Sequence, residues 1–463
     1  MPETGSKAPL VVIGAGPGGY AAAFKAADLG LDVTVIDPEA NPGGVCLHRG
    51  CIPSKAFLHA ARLLRETEEA GAMGLDFGAP KVDIARLRAW KDGIVETLTG
   101  GLGGKTKHKK ITYLRGRARF TGPSELAVDL ADGGQTTLAF AQAILATGSR
   151  PALPPFVEKL SGRVIDSSGA LDPVSVPKSM LVIGGGYIGL ELGSVYAALG
   201  TRITVVEMLP GLMPGADRDL VSQLKRRLDR QFEAILTSTK VVELKEQKNG
   251  VKVTLEDKKG ETTSKLFEQV LVSVGRRPNV ENLGLEAAGI ELADGFVKVD
   301  ALRRTTAAGI LAIGDITGQP MLAHKATHEG YVAAEVAAGG QAAFEPRAIP
   351  AVCFTDPEVA WVGLTETEAK EQGRKVKTAK IPWRSIGRTL TLGRDDGLTK
   401  VIIDPETDLV LGVGLAGPGA GELISEAAVA LEMACRWQDL ALTIHPHPTL
   451  SESLMEAAET FFA

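Results

Sequence analysis

The run Leu10-Val-Val-Ile13-Gly14-Ala-Gly16-Pro-Gly-Gly19 decides the fold. Four apolar residues read as a buried strand, and the spaced glycines behind them lead into an alanine-rich helical segment reaching Gly30. Thr34 to Ile36 is then a second strand, ending on an acid, Asp37. Strand, glycine loop, helix, strand and acid in that order make a βαβ unit with a phosphate-binding turn. Gly14 turns the chain, Gly16 lets a pyrophosphate approach the backbone, and Gly19 lets the helix pack on the strands. Asp37 is placed to accept ribose hydroxyls.

The same pattern returns. Met180 to Ile183 is an apolar strand, Gly184-Gly-Gly186-Tyr-Ile-Gly189 a second glycine loop, and Thr204 to Val206 a strand ending on Glu207. Gly14 and Asp37 are as far apart as Gly184 and Glu207. A second echo lies downstream of each unit: Ala143 to Thr147 runs into Gly148-Ser-Arg-Pro151, and Gln269 to Val274 into Gly275-Arg-Arg-Pro278. The chain is therefore expected to carry two dinucleotide sites, and two in one polypeptide point to electron transfer between two nucleotides. The competing reading is that one copy is a decayed scaffold. Glu207 puts a negative charge where a 2′-phosphate would sit, and no arginine follows it at once, which favours NAD over NADP.

Between the first unit and its echo stands Gly43-Gly-Val-Cys46-Leu-His-Arg-Gly-Cys51-Ile-Pro-Ser-Lys55. In an unbroken helix five residues rise about 7.5 Å, while a disulfide wants Cα atoms no more than about 6.8 Å apart. A bond between Cys46 and Cys51 thus requires a helix that is distorted or only starting there, which Gly50 and Pro53 permit. A thiol at a helix N-terminus has a stabilised thiolate, which suits a redox pair better than a structural staple. Two unrelated thiols, or half of a zinc site, remain the alternatives, although no second cysteine pair completes a tetrahedral set.

At 463 residues and 44% apolar composition, the chain calls for three or four domains. A formal charge of −5 recommends neither a nucleic acid nor an anionic membrane as partner. Four cysteines fit a reducing compartment and leave Cys353 and Cys435 as small core residues. Met1 to Pro9 is too short and polar for a signal peptide, and no long apolar run appears, so cytoplasm is the expected location.

Three further features need partners. Glu191 lies on the apolar stripe Ile188, Leu192, Val195, Leu199, and a buried carboxylate demands a cation; Lys55, one turn after Cys51, is the candidate, against a plain solvated charge for each. Ile310 to Ile313 ends in Gly314-Asp315, able to set one carboxylate against ligand hydroxyls, and Met321-Leu322-Ala323 opens a helix through Glu335. Near the end, His445-Pro-His447-Pro-Thr-Leu-Ser-Glu452 offers an imidazole base oriented by an acid; a metal-binding His-X-His pair and a structural histidine are the alternatives. From Pro350 the pattern becomes antiparallel, with strands at Val376 to Ile381 and Lys400 to Ile403 and helices at Gly421 to Cys435 and Leu450 to Ala458. No nucleotide motif occurs there, and the apolar surface suits an interface.

Gly43-Gly-Val-Cys-Leu with Gly50-Cys-Ile-Pro-Ser-Lys, and His447-Pro-Thr-Leu-Ser-Glu452, resemble the redox and base motifs of the flavin-dependent pyridine nucleotide-disulfide oxidoreductases, along essentially the whole chain. The resemblance implies an α/β fold with two Rossmann-like dinucleotide-binding domains and a C-terminal α+β dimerisation domain. Its expected boundaries are 1–150 for the FAD-binding domain with the redox disulfide and 151–278 for NAD, with 279–346 completing the FAD region and 347–463 forming the interface. FAD would rest on Gly14, Gly16, Gly19, Asp37, Gly116, Thr147, Gly148, Asp315, Met321, Leu322 and Ala323. NAD would rest on Gly184, Gly186, Gly189, Glu207 and Gly275, with no metal. Lys55, paired with Glu191, would stand beside the flavin N5. The implied activity is oxidation of protein-bound dihydrolipoyl groups through Cys46 and Cys51, with His447 as base and Glu452 as its orienter. The implied assembly is a homodimer in which His447 faces Cys46 of the partner subunit, serving the lipoyl domains of 2-oxo acid dehydrogenase or glycine cleavage complexes. Two departures stand out: Asp37 where the family more often has Glu, and His48-Arg49 where Asn-Val is common.

Overall fold

The computed structural model describes residues 7–462, so most of the Met1 to Pro9 segment lies outside the described residues. The chain divides into two compact units. The first gathers residues up to Pro53 with Arg88–Ala152 and Arg276–Glu345; the second gathers Ser54–Leu87, Leu153–Gly275 and Pro346–Ala463.

In the first unit, the strand Lys7–Ile13 is central to a parallel sheet, with Val33–Asp37 on one side and Gln135–Leu145 on the other. Thr112–Gly122 extends the sheet beyond Val33–Asp37, and the short strand Ile310–Ala312 pairs with Gln135–Leu145. Both eleven-residue strands have a second job. Their outer halves pair antiparallel with Glu125–Leu130, forming a meander alongside the parallel sheet. The phosphate-loop helix Pro17–Asp28 covers one face with the later helix Ala323–Ala337 beside it. Their contact is close because glycines meet: a Cβ on Gly330 would stand 2.6 Å from the carbonyl oxygen of Gly18.

The second unit repeats the plan. Five parallel strands lie in the order Ala234–Leu236, Arg202–Val206, Ser179–Ile183, Gln269–Val272 and Val164–Ile165. A three-stranded antiparallel sheet, from Lys240–Gln247 to Thr262–Phe267, takes the place of the meander. The carboxyl-terminal portion is a five-stranded antiparallel sheet from Ala351–Cys353 to Val410–Gly417, packed against the helices Ala420–Glu432 and Glu452–Glu459. The helix expected to reach Cys435 stops at Glu432, because Ala434 turns with φ 53° and Cys435 donates back to Ala430. Likewise the strand expected to reach Thr147 ends at Leu145, since Ala146 N–H bonds Ile13 and the chain then turns at Gly148. Cys353 is fully buried in the core shared by Phe57, Leu190 and Leu398. Among the described residues no helix is long and apolar enough to cross a membrane.

Candidate functional sites: two phosphate loops and a broken helix

Both glycine loops have the geometry their sequence requires. Gly14 has φ 99°, and a Cβ there would lie 2.3 Å from Ala146 O; one on Gly19 would lie 1.9 Å from Gly14 O. The second loop matches, with Gly184 at φ 110° and 2.4 Å from Ser273 O, and Gly189 2.3 Å from Gly184 O. The middle glycine behaves differently in both. Beyond its own turn, a Cβ on Gly16 would meet only Gly44 Cα, at 3.9 Å, and one on Gly186 would meet nothing within 4 Å. The first and last glycines are thus demanded by the protein's own packing, while the middle ones border an open cradle at a helix N-terminus, which fits a pyrophosphate.

The two acids also match. Asp37 accepts from Ala15 N–H at 2.7 Å and Glu39 N–H at 2.9 Å. Glu207 accepts from Gly185 and Leu209 N–H, each at 2.7 Å. Asp37 reaches the same two backbone positions with one methylene fewer. Burial raises its carboxyl above the ordinary value, opposed by the Ala15 N–H and then by the charges of His48 and Arg49.

The cysteine stretch forms two helices, Gly44–Arg49 and Cys51–Glu69, interrupted at Gly50 with φ −143° and ψ −110°. This is the break a bond between Cys46 and Cys51 requires. Cys46 is half-buried, whereas Cys51 begins the nineteen-residue helix and is exposed. His48-Arg49 is less free than its charge suggested: the His48 ring bonds Asn41 O at 3.1 Å, and Arg49 pairs with Glu39. Sequence reasoning missed Tyr20, whose hydroxyl is pushed up to about 12, chiefly by burial and then by Cys46. Its place in the phosphate-loop helix carried no signal of the cysteines' proximity.

Lys55 and Glu191 meet at 2.8 Å. Glu191 is only 3% exposed and takes a second bond from Phe354 N–H at 2.9 Å, while Lys55 lies 4.4 Å from the centre of the Phe354 ring. Phe354 was not legible beforehand, since nothing in an isolated Cys-Phe-Thr marks a lid over an ion pair. A cavity of about 290 Å³ opens beside them, lined by Lys55, Arg62, Ser194, Phe354 and Glu358 among others.

Asp315 follows Gly314 at the strand end, where it accepts from the Ser149 hydroxyl; Arg276 in turn donates to Ser149 Oγ at 2.7 Å. Thr147 and Asn279 exchange bonds of 2.8 and 2.9 Å across the antiparallel pair Ser149–Pro151 and Arg276–Pro278. Gly148 and Gly275 both adopt positive φ beside that pair. Leu322 caps the helix that begins at Ala323, with Met321 just before it. Gly116 has a packing reason of its own: its Cβ would stand 2.5 Å from Asp129 O.

His447 is exposed, and its Nδ1 lies 2.8 Å from Glu452 Oε1. Glu452 also accepts Thr449 N–H at 2.7 Å, and these two partners hold its carboxyl below the usual range. An ionised acid on Nδ1 fixes the tautomer and leaves Nε2 as the basic nitrogen. His445 is otherwise engaged, bonding Thr443 O at 2.8 Å and Glu426 at 2.7 Å.

Residues 8–330 match the family described as pyridine nucleotide-disulphide oxidoreductase, and residues 349–458 match its dimerisation domain. The chain is 46% identical over 456 residues to a dihydrolipoyl dehydrogenase of Vibrio cholerae, covering 98% of this chain and 96% of that one. A dihydrolipoyl dehydrogenase of Thermus scotoductus is 48% identical over 457 residues, covering 97% and 96%. Among solved structures, LpdA from Mycobacterium tuberculosis aligns with a TM-score of 0.90 at 28% identity, over 98% of this chain and 100% of the other. The HOCl-induced flavoprotein disulfide reductase RclA from Escherichia coli, as its Cu(II) complex, aligns at 0.88 and 27% identity, over 98% and 99%. The chain belongs to the pyridine nucleotide-disulphide oxidoreductases and, within them, to the dihydrolipoyl dehydrogenases, homodimeric enzymes that use FAD and NAD to act on a sulfur group.

Proposed function

We propose that the reaction runs through Cys46 and Cys51 as the redox disulfide, with FAD on the Gly14 loop and NAD on the Gly184 loop. The break at Gly50 supports this reading, because an unbroken helix would hold cysteines at this spacing too far apart to bond and because it also starts a helix at Cys51. His447 takes a proton from one thiol of the dihydrolipoyl group. The resulting thiolate attacks Cys46 Sγ, the Cys46–Cys51 bond breaks, and Cys51 leaves as a thiolate favoured by the helix N-terminus. The second substrate thiol then attacks the mixed disulfide, closing the lipoyl ring and releasing Cys46. Two substrate thiols are oxidised and one protein disulfide is reduced. FAD, when bound, would supply the two-electron redox chemistry that links the cysteine pair to NAD⁺. Asp37 and Asp315 would hold the hydroxyls of FAD, and Lys55, fixed by Glu191, would supply a positive charge. Glu207 supplies the ribose contact for NAD and repels a 2′-phosphate.

The finer assignments belong to the same proposal. FAD occupies 1–150 with 279–346, NAD occupies 151–278, and 347–463 forms the twofold interface, so that His447 serves Cys46 of the partner subunit. The substrate arrives on a lipoyl domain of a 2-oxo acid dehydrogenase or glycine cleavage complex, in the cytoplasm. Steady-state assays with lipoamide, glutathione disulfide and mercuric ion, each with NADH and with NADPH, test it. Turnover is expected with lipoamide and NADH; preference for another acceptor, or equal use of NADPH, overturns the assignment.

A further inference from the structure

The mechanism leaves Glu329 without a role, although it is completely buried. Its Oε2 accepts Gly314 N–H at 2.6 Å, and its Oε1 lies 2.9 Å from Arg303 Nη1 and 3.1 Å from Lys325 Nζ. Lys325, 6% exposed and one turn earlier on the same helix, also reaches the carbonyls of Gly314 at 3.4 Å and Gly318 at 3.3 Å. One helix therefore grips both the N–H and the carbonyl of Gly314, and the far end of the turn that carries Asp315. Two cations against one fully buried acid is a costly arrangement for a four-residue turn that a few backbone bonds would hold. The same helix is fixed against the phosphate-loop helix, where Gly330 follows Glu329 in sequence and meets Gly18 too closely for any Cβ. The helix Ala323–Ala337 thus spans from the pyrophosphate loop to the Asp315 turn.

We infer that Glu329 and Lys325 are positioning residues for FAD: a buried ionic clamp that sets the Gly314–Thr317 turn, and with it the Asp315 carboxylate, at a fixed distance from the phosphate loop. This rests on the reading of Asp315 as a flavin-nucleotide ligand. A carboxylate placed by two bonds on its loop peptide keeps its reach, whereas one on a free turn loses it, so the clamp acts on cofactor retention and not only on the fold.

The test uses the full-length FAD-loaded enzyme. Lys325→Met with Glu329→Leu removes the clamp and leaves no orphan carboxylate; Glu329→Gln keeps an acceptor for Gly314 N–H. FAD release after dilution is followed by flavin fluorescence, with the bound-flavin absorption spectrum and the thermal midpoint with and without excess FAD. The double variant is expected to release FAD at least tenfold faster, with an altered flavin spectrum, and to recover much of its midpoint in excess FAD. Glu329→Gln is expected to fall between it and wild type. Release within twofold of wild type in the double variant overturns the inference. If the double variant does not fold, Lys325→Met alone, which keeps the Glu329–Arg303 pair, is judged by the same twofold criterion. Asp315→Ala separates the two readings. If it retains FAD like wild type, the assignment of Asp315 fails; if it loses FAD while the clamp variants do not, only the clamp fails.

Discussion

Lys400→Met perturbs the most deeply buried cation of the second unit. Lys400 is 1% exposed, and three acids surround it: Asp217 at 2.9 Å, Asp219 at 2.8 Å and Glu366 at 2.7 Å. Asp217 and Asp219 start the helix Arg218–Gln231 of the second dinucleotide region, while Glu366 starts a helix of the carboxyl-terminal portion. Asp217 also accepts Glu366 and Thr367 N–H, each at 3.1 Å, so it serves the second helix as well as the lysine. Removing one partner of a buried ion pair costs about 3–5 kcal/mol. The lower end applies, because Asp219 and Glu366 keep Lys380 at 2.9 and 3.2 Å and both are partly exposed. About 3 kcal/mol at about 2–4 °C per kcal/mol gives a midpoint lowered by about 6–12 °C. The pH dependence has a fixed sign. Burial opposes ionisation of Asp217 and Asp219, yet Lys400 with the other donors wins and depresses both; Glu366 is depressed chiefly by Lys400. Their stabilisation is present above the unfolded carboxyl range near about pH 4 and disappears as pH falls through the depressed folded values. The gap between wild type and Lys400→Met, measured by calorimetry or circular dichroism, should therefore narrow on acidification below pH 4. A midpoint within 2 °C of wild type at pH 7, on the order of 0.5–1 kcal/mol by the same scale, or a gap that widens in acid, refutes the reasoning.

Cys46→Ser and Cys51→Ser are each expected to lower dihydrolipoamide-dependent NAD⁺ reduction by at least about 10³ while NADH oxidation by ferricyanide persists, and retained lipoamide turnover in either would reassign the pair. His447→Gln should cost about 10²–10⁴ in kcat and Glu452→Gln less, read in the same assay; equal or inverted losses would remove Glu452 as orienter. For the nucleotide, kcat/KM with NADH should exceed that with NADPH by about 10² or more, because Glu207 would repel a 2′-phosphate, and parity would refute its role. Mixing Cys46→Ser with His447→Gln homodimers under subunit exchange should restore activity, since one site of each heterodimer has both residues; exchange confirmed by mass without recovery would place the whole site within one chain.

Local patterns carried much of this architecture and stopped where its charges go inside. The glycine loops were readable because each position answers to its own backbone: positive φ at Gly14 and Gly184, no room for a Cβ at Gly19 and Gly189. An interruption near Gly50 or Pro53 was expected on the premise that Cys46 and Cys51 bond, and the helix breaks at Gly50; Glu191 was suspect because it broke an apolar stripe. Lys400 gave no such sign. It sits in a strand buried on both faces, and its acids lie far away in sequence, so each charge read alone as solvated. Glu329 was hidden in another way: its i−4 partner Lys325 reads as an ordinary helix-surface pair, and only the fold shows both buried. His48-Arg49, which stands between the cysteines, has partners of its own in Asn41 and Glu39, neither of them legible from the sequence.

The two dinucleotide units show how one scaffold takes two tasks. Their loops and terminal acids superimpose in role, so the difference must come from residues outside the motif. Counting from the first glycine of each loop, Gly18 corresponds to Ile188 and Ala21 to Glu191. In the first unit the helix face is small, and Gly18 lets Ala326 and Gly330 of the neighbouring helix approach to backbone distance, which brings the clamp at Glu329 to the Asp315 turn. A larger residue at 18 would push that helix away. In the second unit, Ile188 packs on an apolar core, and Glu191 points to Lys55 and the Phe354 peptide instead. The first helix is therefore specialised to hold a second helix and the second to hold a cation. A carboxylate at position 21 would be buried and would need a donor, and an alanine at 191 would take from Lys55 its ion-pair partner. The two loops share their glycines, and the two units differ at the helix positions that face away from the loops.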